Sequence, residues 1–237
     1  ARNVLLDADG NPYNSDSING TVRFTPGTVE LTVNGYYDWI KSVNIPYSRV
    51  DGPQDYSRDL NFNTLNQTDL EYRGINARLA VPLDGIGSTL TLLGAYDARN
   101  NTNVEGDVDF GPGDFARATG GDALRTKTAE LRLDSKWSAS VSTLLGLFYS
   151  REEADALDIT TLYPAFSGLP FDVVRTTTNQ TQADTYAVFG TVFWEPSVDW
   201  EVALGLRYDH EDRVANGSVV TALGPLGESG GPLPEAR

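Results

Sequence analysis

The chain has 237 residues and carries 18 Lys and Arg against 33 Asp and Glu, a formal charge of −15. That balance lacks the basic footprint of a nucleic-acid-binding domain, while 40% apolar residues are too many for a disordered acidic tail. No cysteine and a single histidine exclude disulfides, thiolate metal sites, cysteine nucleophiles and a His-rich centre. No run approaches the roughly 18 uncharged apolar residues of a membrane helix. Methionine is absent, which makes Ala1 a processed or cut start with no signal peptide in view.

Side-chain character alternates with a period of two. The first predicted strand covers 19–25. In the second, 28–41, Val29, Leu31, Val33, Gly35, Tyr37 and Trp39 alternate with Glu30, Thr32, Asn34, Tyr36 and Asp38. One face is apolar and the other polar, as in a strand between two environments. The same reading places strands near 69–82, 88–103, 125–136, 140–156, 181–194 and 199–213. In the last, Val202, Leu204, Leu206 and Tyr208 share a side. Many of these eight strands reach the roughly 9–11 residues that a tilted transmembrane strand needs.

Connections alternate between short and long. Pro26-Gly27, 82–87, 136–139 and 195–198 are tight turns, whereas 42–68, 104–124, 157–180 and 214–237 are long and polar. A soluble sandwich has no reason to sort its loops this way; an outer-membrane barrel has short periplasmic turns and long extracellular loops. Trp39, Tyr96, Tyr149, Trp194, Trp200 and Tyr208 fall near strand ends, where interfacial aromatic girdles sit. Arg23, Arg78, Glu130, Arg132 and Arg207 fall on the opposite, inner face, with both signs of charge able to pair across the wall.

Several strings resemble the barrel of TonB-dependent outer-membrane receptors. They are Tyr186-Ala187-Val188-Phe189-Gly190, a Trp-Glu-Pro turn, and Val202-Ala203-Leu204-Gly205-Leu206-Arg207-Tyr208-Asp209. Ala129–Leu133 with Leu145–Tyr149, and Thr21–Pro26 before Val29–Leu31, are similar to further hairpins of that family. The resemblance runs from about 20 to 213. It implies an all-β, antiparallel transmembrane β-barrel, with residues 1–237 a segment of one barrel domain. The family's barrel has about 22 strands around a plugged lumen. The chain shows no plug domain, no energy-coupling box and no terminal strand ending in an aromatic residue, so it reads as a piece of such a receptor.

The resemblance further implies a bacterial outer-membrane location and energy-coupled uptake of a scarce nutrient: a ferric siderophore, cobalamin, haem or an oligosaccharide. The implied partners are outer-membrane lipid, a small-molecule ligand met by the loops, and an inner-membrane energy-transducing complex reached only through the plug. Nucleic acid is not among them. No cofactor, metal or catalytic residue is implied. Two other readings stay open: a complete eight-stranded barrel with a structural or adhesive role, and a soluble β-sandwich binding module.

Motifs that suggest other chemistry are weak. Gly227-Glu228-Ser229-Gly230-Gly231 fits a nucleophile elbow, but its only histidine, His210, lies far back in the chain and prolines oppose the required helix. Gly111–Ala116 matches a relaxed dinucleotide fingerprint without a βαβ unit. Asp7-Ala8-Asp9-Gly10-Asn11 resembles part of a calcium loop but lacks the later bidentate Glu, and an Asx turn is the simpler reading. The long loops hold the candidate ligand-capturing residues. These are Phe110, Phe115 and Arg117 in one, and Tyr163, Phe166, Phe171 and Arg175 in the next. Exposed aromatic rings beside Arg are what such a surface would offer. The competing reading folds those rings over the barrel mouth.

Overall fold

The computed structural model describes residues 2–43 and 59–236. Among these, two short strands, β1 (Arg2–Asn3) and β2 (Ala8–Asp9), form a small antiparallel pair. Nine more build one antiparallel sheet: β3 (Tyr13–Phe24), β4 (Glu30–Val43), β5 (Gln67–Leu83), β6 (Ser88–Asp107), β7 (Ala116–Lys136), β8 (Val141–Leu162), β9 (Val173–Ser197), β10 (Trp200–Ala222) and β11 (Glu228–Pro232). Each strand lies beside its neighbour in sequence, the up-and-down order of a barrel wall. The sheet does not close: β3 and β11 are its two edges, and no second sheet packs on it among the described residues. The described residues form neither a closed eight-stranded barrel nor a two-layer sandwich.

Register explains the alternation. Leu31 pairs with Phe24 and Leu79; Leu79 with Leu92; Leu92 with Leu131; Leu131 with Leu147; Leu147 with Val188; Val188 with Tyr208. One apolar row therefore crosses eight strands without interruption. A one-residue slip anywhere would turn a whole strand's apolar set to the other face. The row stays on the outside of the curved sheet, where Leu92, Leu131, Leu147, Val188 and Tyr208 are all exposed. Apolar side chains left exposed in a continuous band are what lipid, not water, accommodates.

Aromatic residues bound that band. Tyr186 and Trp194 close it on β9, and Trp200 and Tyr208 close it on β10, each pair eight residues apart on one face. At about 3.3 Å per residue and a tilt of 35–45°, eight residues span roughly 20 Å of membrane thickness. Along the other rim the boundary moves from Tyr37 on β4 to Tyr96 on β6 and to Tyr149 and Tyr186, whose rings meet at a tilt (centroids 5.1 Å apart). It ends at Tyr208. That drift down the register is the stagger expected of tilted strands.

The strands are longer than the sequence pattern indicates, and nearly all the extra length is at the loop end; at the other end β5 gains Leu83 and β9 gains 195–197. The segments expected as loops over 104–124 and 157–180 are mostly strand, with tips only at 108–115 and 163–172. The tail over 214–237 continues β10 and returns as β11. β8 runs thirteen residues past Tyr149, about 43 Å along the strand. Above the band both faces are wet, so apolar alternation disappears while Thr-rich backbone still favours strand. Arg117 and Arg175, expected in loops, accordingly lie in β7 and β9. Most of the expected loop 42–68 lies outside the described residues. The short turns are tight: Gly87, at φ 61°, closes the Asp84–Ile86 turn, and β9 and β10 are joined by Val198-Asp199 across a register shift.

Candidate functional site: the inner wall and the loop tips

The inner face is a ladder of paired polar groups. Arg23 and Arg78 both bind Glu30, at 2.7 and 3.3 Å. Arg132 pairs with Glu130, and Arg207 pairs with Asp209 at 2.8 Å. Two of these pairs join neighbouring strands, as the mixed signs of the inner residues suggest. Asn34 donates to Thr21 Oγ1 at 2.9 Å, and Asn76 donates to Asn34 at 3.3 Å. Higher up, Ser17 binds Asp38, and Arg99 and Asn101 both bind Asp122. These pairs are half exposed, so solvent screens them and each adds little to stability. They present fixed charges of both signs to whatever occupies the lumen.

Aromatic rings lie flat among these charges where glycine makes room. The Phe189 ring covers Gly146, where a Cβ would stand 2.1 Å from it. The Arg207 guanidinium stacks on Phe189 and Phe148 at 5.5 and 5.3 Å. A stacked, carboxylate-paired Arg is held in place rather than left to sample solvent.

The loop tips form a second layer. Asp107 is 1% exposed, and its Oδ1 accepts the backbone N–H groups of Asp109 (3.0 Å) and Phe110 (2.7 Å). Asp109 accepts from Gly111, Phe115 and Ala116. Two successive Asx turns thus fix tip 108–115. Burial pushes the Asp107 carboxyl above its ordinary pKa. Asn63 donates to Gly113 O and Asp114 Oδ1, the Asn66 side chain accepts the Asp107 N–H, and Asn3 donates to Phe62 O at 2.9 Å. Segment 59–66 therefore ties the β1–β2 pair to this tip, with Leu60 and Phe62 buried beneath it.

The structure brings together only part of the expected ligand-capturing set. Arg117 donates to Glu105 (2.7 Å) and Asp114 (2.8 Å) and lies 5.9 Å from the Tyr163 ring. Desolvation opposes its charge, but these carboxylates outweigh it and raise its pKa. Phe115 lies over Gly113, and its carbonyl accepts the Tyr163 N–H at 3.0 Å. Phe110 packs on Phe62 at 6.2 Å. Phe166 projects from the one-turn helix α1 (Pro164–Ser167) and is 64% exposed. Phe171 instead lies against Gly224 in the β10–β11 hairpin, and Arg175 stands between Thr160 and Thr221. The sequence reading missed Asn63, Asn66, Asp107 and Asp109; the D-x-D-x-G spacing at 107–111 is the signal that would have found the last two.

The discounted motifs stay apart. Ser229 lies in β11 opposite Thr221, eleven positions along β10 from His210. That is about 36 Å of strand, far beyond hydrogen-bond reach. Asp9 Oδ1 accepts the Asn11 N–H at 3.0 Å in an Asx turn. His210 sits 3.3 Å from Asp212, two residues on along the same face.

Residues 43–230 match the family model described as "TonB dependent receptor-like, beta-barrel". The chain belongs to this TonB-dependent receptor barrel family. No curated protein matches it in sequence. Among solved structures it is similar to the ferric yersiniabactin uptake receptor FyuA from Yersinia pestis. The TM-score is 0.71 at 13% identity, over 99% of this chain and 35% of that one. It is also similar to the siderophore receptor PiuA from Acinetobacter baumannii, with TM-score 0.50 and 13% identity, over 91% of this chain and 41% of that one. At such identity the likeness is one of fold. The chain spans well under half the length of either receptor barrel relative.

Proposed function

We propose that this chain forms a sector of an outer-membrane receptor wall in energy-coupled uptake of a scarce nutrient. Its lipid-facing band seats it in the bacterial outer membrane, and its extended strands carry the ligand-meeting tips outward. The observation that carries this reading is the unbroken apolar row from Phe24 to Tyr208, bounded by aromatic residues and continued by a tall polar wall. A structural barrel needs the band but not a polar wall of that height. An iron-chelate ligand is the favoured class, because the two solved receptors above are described as a ferric yersiniabactin uptake receptor and a siderophore receptor. Capture falls to Phe110, Phe115, Tyr163, Phe166 and Phe171 in tips 108–115 and 163–172 and to Arg117 and Arg175 on the strands beside them. The inner-membrane energy source acts through a plug domain of the whole receptor.

The test is uptake of radioactive iron by cells in which the full-length receptor is the sole route for a supplied ferric siderophore. Replacing tips 108–115 and 163–172 by short glycine linkers should abolish uptake while the barrel still folds and inserts. Unchanged uptake for every siderophore taken up by the parent would overturn the assignment of the tips.

A further inference from the structure

The first outward-facing residues beyond the aromatic boundary are mostly basic, although the chain as a whole is strongly acidic. On β4 this residue is Lys41, whose Nζ lies 5.0 Å from the Trp39 ring. On β5 it is Arg73, on β7 Lys127 and on β8 Arg151. Arg151 is held by Glu153 at 2.8 Å and by Gln182 at 3.0 Å. Arg125, one step higher on β7, is held by Asp155 at 3.1 Å. Arg73 and Lys127 differ: both are exposed, and among the described residues neither has a carboxylate within ion-pair distance.

Register places these two cations around one small gap. Arg73 pairs with Ala98, and Lys127 pairs with Tyr96, two residues below Ala98 on the intervening β6. Strands β5 and β7 are about 10 Å apart across β6, so two long basic side chains can converge above Tyr96. Directly below Lys127 opens an apolar groove of about 510 Å³ floored by Ala129 and walled by Leu92, Leu131, Leu147, Tyr149 and Val188. A clamp of positive charge over an apolar groove, at the level where aromatic residues mark the membrane surface, matches an anionic amphiphile in orientation and in sign.

We propose that Arg73 and Lys127 bind the phosphate headgroup of an outer-leaflet lipid, with an acyl chain lying in the groove over Ala129. This rests on the reading of the band as membrane-embedded. It goes beyond uptake, since the site faces away from the lumen. The lipid would act as an annular ligand, fixing the height of the wall.

The test uses the full-length receptor purified in mild detergent and given dilauroyl phosphatidic acid or phosphatidylcholine, with bound lipid read by native mass spectrometry. The Arg73→Gln/Lys127→Gln variant should retain at least about tenfold less phosphatidic acid and an unchanged amount of phosphatidylcholine. Arg125→Gln, which removes an equal charge already paired to Asp155, should behave as the parent. Millimolar inorganic phosphate should not compete, because it lacks the chain that fills the groove. Equal phosphatidic acid retention by parent and double variant, full competition by phosphate, or a dimer in place of bound lipid would each overturn the proposal. Failure of both lipids to bind, with no heat-modifiable barrel on gels, would instead count against membrane embedding itself.

Discussion

The Tyr36 hydroxyl donates to Asp97 Oδ1 at 2.6 Å across an intervening strand, and it reaches there because Gly74 lies between them. Tyr36 pairs with Gly74, and Gly74 with Asp97. A Cβ on Gly74 would stand 2.5 Å from Asp97 Oδ1 and 2.6 Å from the Tyr36 ring. The missing side chain is thus the slot through which β4 and β6 are bolted together over β5. Phe189 over Gly146 repeats the device two strands from the far edge. Glycine weakens a strand by itself; here the ring that covers it restores the lost packing.

The bolt is testable by a double-mutant cycle. Tyr36→Phe removes the hydroxyl and should cost about 1 kcal/mol of unfolding free energy. Gly74→Ala displaces the ring, so Tyr36→Phe should cost close to nothing in that background. Urea unfolding of the barrel in detergent measures both. Additive effects would mean that Tyr36 and Asp97 do not interact through the Gly74 gap.

The two faces of β7 should respond in opposite ways to added charge. Leu131 lies mid-band on the lipid side, so Leu131→Arg should cost about 2–4 kcal/mol, as charges do at a bilayer midplane. Thr128, on the inner face among paired polar groups, should accept Thr128→Lys for less than about 1 kcal/mol. Stability in lipid vesicles reports both. A comparable penalty for the two would mean that the inner face is not wet.

Much of this wall was legible in the sequence because lipid forces alternation. Leu31, Leu79, Leu92, Leu131 and Leu147 each sit two residues from another apolar or aromatic residue, and the register lines them up as that pattern requires. The upper wall was not legible, because Thr176, Thr178 and Asn179 face water on both sides and carry no periodic signal. Of the expected tip residues, Arg117 and Tyr163 meet because β7 and β8 end together. Phe171 is drawn off by Gly224, a partner 53 positions along the chain that no local pattern reveals. Asp107 was passed over because burial of a carboxylate depends on segment 59–66 folding over it.

Orientation predicts where proteases cut. Tip 163–172 holds exposed Phe166 and half-buried Leu169 beside a single helical turn, whereas Val198-Asp199 is a two-residue turn at the other end of the wall. Chymotrypsin added to intact cells should cleave the full-length receptor within 163–172 and spare the Trp194–Trp200 region. Cleavage near Trp200 in sealed cells, with the tip intact, would invert the assignment of the two ends.

Tip 108–115 should loosen as pH rises above the ordinary carboxylate range. The Asp107 carboxyl titrates higher in the folded tip than in the unfolded chain, mainly because burial disfavours its charge. Between those two values the folded form binds more protons, so protonation stabilises the tip below the unfolded pKa. That stabilisation is lost as pH rises through the folded value and changes no further above it. Asp107→Asn keeps an oxygen to accept the Asp109 and Phe110 N–H groups and removes the titration. Hydrogen-exchange protection of those two amides, corrected for intrinsic rate, should fall with pH in the parent and stay level in the variant. A parallel fall in both would place the pH dependence elsewhere, with the neighbouring Asp109 the first group to replace.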